Sequence, residues 1–74
     1  MKKEQQKKYR ELVELKGYLR QEKINYEMLA KGINMSLSAF SNKINGKTVF
    51  DIIEIQNIIN FAGISKDKIP LYFF

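Results

Sequence analysis

The chain has 74 residues, 13 Lys and Arg against 8 Asp and Glu, and a net charge of +5. It is therefore long enough for one small domain, and its charge favours an anionic partner. It contains no Cys and no His, which excludes a disulfide framework, a thiol nucleophile, the commonest metal ligand and the commonest general acid–base. No apolar run reaches the roughly 20 residues of a membrane span, and no secretory leader is visible, so a cytoplasmic location without a membrane partner is expected. Residues 1–10, MKKEQQKKYR, carry five basic residues and one acid. They either extend the first helix or stand off it as a basic arm. Leu12, Leu15 and Leu19 share one helical face, which Tyr9 extends backward, and this predicts a helix from Lys3 or Glu4 to Glu22. Gly17 inside it is unfavourable relative to Ala unless another backbone packs there. This helix reads as scaffold.

The stretch 25–47, NYEMLAKGINMSLSAFSNKINGK, predicts a helix, a tight turn and a second helix. Asn25 is a suitable N-cap, and Glu27 in the first turn suits the helix dipole. Leu29 and Ile33 share a face, and Ala30 is small enough for another helix to cross closely. Asn34 stands where the chain leaves the helix and tolerates a left-handed backbone. Met35 is expected to tuck the turn into the core. Ser36 is the next N-cap, Phe40 and Ile44 the next buried face, and Asn45-Gly46 the close. No acid lies between Glu27 and Asp51, whereas Lys31, Lys43 and Lys47 do. An acid-free helix pair of this kind suits a phosphate-lined groove.

In the segment 51–62, DIIEIQNIINFA, the adjacent polar pair Gln56-Asn57 breaks the alternation of a strand. Ile52, Ile55, Ile58, Ile59 and Ala62 fall within about 120° at the helical period, so this is a core helix capped by Asp51 and ended by Gly63. Ile53 and Phe61 lie off that arc, packed elsewhere in the fold or in a subunit contact. Ser65 then caps a turn, Lys66 to Ile69, which Pro70 stops. The ending LYFF either folds back on the core or pairs across a dimer. The expected fold is thus all-α, a compact bundle of four or five short helices in a single domain, 1–74.

The order Ala30, Asn34, Met35, Ser36, Phe40 and Asn45-Gly46-Lys47 resembles the helix-turn-helix of the phage repressor and Cro family. In that family a small residue, usually Ala, sits in the first helix. A Gly, less often Asn, follows four residues later in the turn, an apolar residue lies six further on, and many members end in Asn-Gly-Lys. The LYFF ending is similar to that of small regulators on phages and other mobile elements, and the resemblance extends more weakly from about Leu12 to the end. Two positions depart from the pattern: Asn34 replaces the usual Gly, and Leu37 stands where the family is usually polar.

The resemblance implies sequence-specific binding of double-stranded DNA by a transcriptional regulator, with the helix from about Leu37 to Asn45 in the major groove. Its outward residues Leu37, Ser38, Ser41 and Asn42 are the expected base-contacting set. Positions matching Ser38 and Asn42 face base edges in the family, and Asn42 can take an adenine through N6 and N7. Leu37 either packs on a thymine methyl or faces inward. Tyr26, Asn45 and Lys47 match phosphate-contacting positions, with Lys43 at the rim. A two-fold homodimer is expected, because one such unit covers few base pairs. The competing class is a helical protein-interaction module, antirepressor- or adaptor-like, favoured by Leu37, Ile53, Phe61 and LYFF. RNA binding ranks last, for want of interleaved exposed aromatics. Acid pairs such as Glu11 and Glu14 sit among basic residues and read as surface ion pairs. No enzyme activity, cofactor, metal or small-molecule ligand is expected.

Overall fold

The structure, a computed structural model, describes residues 9–74. The helices are α1 (Val13–Gln21), α2 (Tyr26–Gly32), α3 (Leu37–Ile44), α4 (Ile52–Ala62) and α5 (Ile69–Phe73), with a 3-10 turn, Lys66–Lys68, before the last. Among the described residues there is no strand, and the chain is a small all-α bundle. Leu15 and Leu19 of α1, Leu29 of α2, Phe40 and Ile44 of α3 and Ile58 of α4 meet in one fully buried core. α2 packs on both α3 and α4, and α5 packs on α1.

The caps follow the side-chain chemistry. The Asn25 side chain accepts from the Met28 N–H at 2.7 Å, and Ser36 accepts from the Ala39 N–H at 3.1 Å. Asp51 and Glu54 form a reciprocal capping box, the Glu54 N–H donating to Asp51 at 2.7 Å and the Asp51 N–H to Glu54 at 3.0 Å. Each such bond satisfies a backbone donor that the helix leaves orphaned. At the other ends, Lys23, Asn34, Gly46 and Gly63 all take a left-handed backbone. After each of them the next N–H reaches five residues back: Ile24 to Leu19, Met35 to Ala30, Lys47 to Asn42 and Ile64 to Ile59. Four helices thus stop by the same device.

Three expectations are corrected. The first helix begins at Val13, not at Lys3 or Glu4; residues 3–8 of that expectation lie outside the described residues, and Tyr9 to Leu12 are not helical. The Tyr9 N–H donates to the Gly46 carbonyl at 2.9 Å and the Leu12 N–H to the Ile44 carbonyl at 3.0 Å. The Ile44 carbonyl is the last of α3 and needs a donor, so this segment caps α3 instead of prolonging α1. Tyr9 accordingly leaves the leucine face and is exposed. Second, Ile52 is 71 % exposed, although it lies on the buried arc of α4. It is the first residue of the helix, and Phe50, just upstream, fills the core there through ring contacts with Phe40 and Phe73. Third, Pro70 does not stop a helix but lies in the first turn of α5, where its missing N–H has no partner to lose. Ser65 makes no side-chain cap bond. LYFF divides: Tyr72 and Phe73 pack on the core, whereas Leu71 and Phe74 stay exposed.

Tyr18 ties the halves together. Its ring lies 5.3 Å from that of Tyr72, and its hydroxyl donates to the Ala62 carbonyl at 2.7 Å at the end of α4. Burial, then the nearby Glu22 and Tyr72, push this hydroxyl above the usual 10.0 of a tyrosine, which keeps it a donor.

Candidate nucleic-acid interface

The tight turn between α2 and α3 rests on Asn34, whose φ of 63° ends α2, and on Met35, half-buried against the core. Ala30 is buried, as its small size suggests. The closest approach, however, is at Gly32, where a Cβ would fall 2.3 Å from the ring of Phe61. Phe61 therefore packs within the fold, over the end of α2, while keeping one edge in solvent. α3 is held by its inner face, through the buried Phe40 and Ile44.

The outer face of α3 carries Leu37, Ser38 and Asn42, all exposed, and Ser41, half-exposed. Ser38 and Asn42 are four apart and share one stripe. Leu37 is 48 % exposed at the head of the helix and does not turn into the core.

The residues expected at phosphate positions differ in freedom. Lys47 is exposed beyond the end of α3. Tyr26 is half-buried, edge-on to Phe40 with ring centroids 5.2 Å apart. Lys43 donates to both carboxylate oxygens of Glu54 at 2.7 Å, and both side chains are largely covered. The acid-free stretch thus receives an acid from α4. Asn45 accepts from the Lys16 ammonium at 2.5 Å and donates to Ser41 at 3.4 Å, while Lys16 also donates to Glu11 at 2.6 Å. This network joins α1 to the end of α3 and holds Ser41 and Asn45 in place.

One basic surface escaped the sequence reading. Lys16, Arg20 and Lys23 line a groove of about 820 Å³ together with Asn25, Tyr26, Leu37 and Ser41. The signal lay in the four-residue spacing of Lys16 and Arg20, but α1 read as scaffold. Compared with protein-family models, curated proteins and solved structures, the chain matches none. Among the described residues no helix is long and apolar enough to cross a membrane.

Proposed function

We propose that this chain is a sequence-specific double-stranded DNA-binding protein of the phage repressor and Cro type, a cytoplasmic transcriptional regulator of a phage or mobile element. The observation that carries the reading is α3: its inner face is sealed in the core, while its outer face offers Ser38 and Asn42 to solvent on a helix that contains no acidic residue. A helix so held can enter a major groove with polar side chains turned to base edges. Lys47 at its far end supplies a charge for the backbone, which fixes register without reading sequence.

The test is a pair of salt titrations on the DNA upstream of the chain's own coding region and on a scrambled duplex. Asn42→Ala is expected to lose about 1–3 kcal/mol of discrimination at one base position with the salt dependence unchanged. Lys47→Ala is expected to weaken both duplexes alike and lower the slope of log K against log salt by about 0.9. If Asn42→Ala discriminates as well as the parent, α3 is not the reader.

A second reading, an adaptor that binds protein, is favoured by the exposed Leu37, Ile52, Ile53 and Phe74. No binding of the parent to either duplex at low salt would select it.

A further inference from the structure

The groove beside α3 has a polarity that the reading of α3 leaves unused. Apolar Leu19, Ile24 and Leu37 line it together with the cationic Lys16, Arg20 and Lys23. Lys16 is engaged with Glu11 and Asn45, but Arg20 and Lys23 are exposed, and neither is in an ion pair among the described residues. One acid, Glu27, also lines the groove and is outnumbered. Lys23 is the unusual member. It ends α1 in the left-handed region, with φ of 60°, where the chain elsewhere uses Asn34, Gly46 and Gly63. A lysine is strained there and a glycine is not.

We infer that one strand of the DNA backbone lies along this groove, with Arg20 and Lys23 each contacting a phosphate. The inference rests on the DNA-binding reading and extends its interface from α3 to the end of α1. The groove shares Leu37 and Ser41 with the outer face of α3 and Tyr26 with the head of α2, so a strand flanking the occupied major groove is led past all three helices. Arg20 offers a planar fork suited to a phosphate, and Lys23 a compact point charge.

Phosphate contacts are independent of sequence, so the probe is a random-sequence duplex of about two helical turns. Arg20→Ala and Lys23→Gly are each expected to lower the slope of log K against log salt by about 0.9. Lys66→Ala, outside the groove, is expected to leave it unchanged. Lys23→Gly separates binding from folding, since it removes the charge and also the strain: its melting temperature should rise while its salt slope falls. If the parent binds and the slope is unchanged in either groove variant, the inference is overturned and the role of α3 stands. If the parent fails to bind any duplex at low salt, the DNA-binding reading falls and takes this one with it. Binding of the parent to a poly-glutamate peptide but not to the duplex likewise overturns it, in favour of an acidic protein partner.

Discussion

At the scale of single residues, two glycines predict opposite outcomes. Gly17 lies mid-helix in α1, and a Cβ there meets nothing within 4 Å. No other backbone packs on it, which was the one condition under which the sequence excused a glycine at that position. Gly17→Ala is therefore expected to stabilise the protein by about 0.5–1 kcal/mol. At Gly46 a Cβ would lie 2.5 Å from the Tyr9 carbonyl oxygen, on a backbone with φ of 90°. Gly46→Ala must both strain the backbone and push away the segment that caps α3, a loss on the order of 1–3 kcal/mol from the conformation alone. Paired denaturant melts check both, and a Gly46→Ala variant as stable as the parent would refute the close packing of residues 9–12 on the end of α3. The role of Gly46 as a helix stop was legible from Asn45-Gly46-Lys47. The left-handed Lys23 was not, because no side-chain pattern marks a lysine that adopts the conformation of a glycine.

At the scale of elements, what the sequence made plain was set by local chemistry. Caps at Asn25, Ser36 and Asp51 and stops at Asn34, Gly46 and Gly63 are written in residue types whose side chains or backbone freedom do one thing. The errors lie where tertiary contacts outbid local signals. The leucine pattern ran back through Tyr9, yet the Tyr9 and Leu12 N–H groups bond to the end of α3 and the residue after it. Lys43 looked free within an acid-free stretch, yet Glu54 comes to it from α4. The element on which most depends is α3, and Phe40 holds it. Its ring is fully buried and in contact with Tyr26 on one side, at 5.2 Å, and Phe50 on the other, at 5.6 Å. Phe50 in turn meets Phe73, with centroids 6.3 Å apart, so one aromatic series joins the head of α2 to α5. Phe40→Ala is expected to remove about 3–5 kcal/mol, against a total of about 5 for so small a domain, and to leave the chain largely unfolded at room temperature. Circular dichroism through a thermal melt checks this, and a transition within a few degrees of the parent would contradict the central place given to that ring.

At the scale of the whole molecule, the question is what covers the apolar surface left over. A domain of this length buries only about 60 % of its unfolded surface, and such domains often gain by association. Tyr9, Val49, Ile55 and Phe74 line a second groove, about 250 Å³, beneath which lie Phe50 and Phe73. Phe74 is 75 % exposed at its edge. Each of the two cations on this groove has a carboxylate beside it, Glu14 at 3.8 Å from Arg10 in an exposed pair and Glu54 at 2.7 Å from Lys43 in a covered one. A second copy can therefore approach the same patch without setting unpaired like charges against each other, which a two-fold contact requires. Two half-sites about 34 Å apart would then be read together. Because Tyr72 and Phe73 belong to the core, deleting the whole LYFF end would unfold the chain and test nothing about association. Phe74→Ser is the cleaner variant, since an exposed ring contributes little to the monomer. The parent is expected to sediment as a dimer on a two-half-site duplex. Losing a buried phenyl from each copy, at about 1.5–3 kcal/mol apiece, should weaken dimerisation by at least about a hundredfold, with the melting temperature of dilute protein nearly unchanged. A parent that stays monomeric at every concentration, and loads each half-site independently, would rule out the dimer and leave Phe74 as the edge of the core.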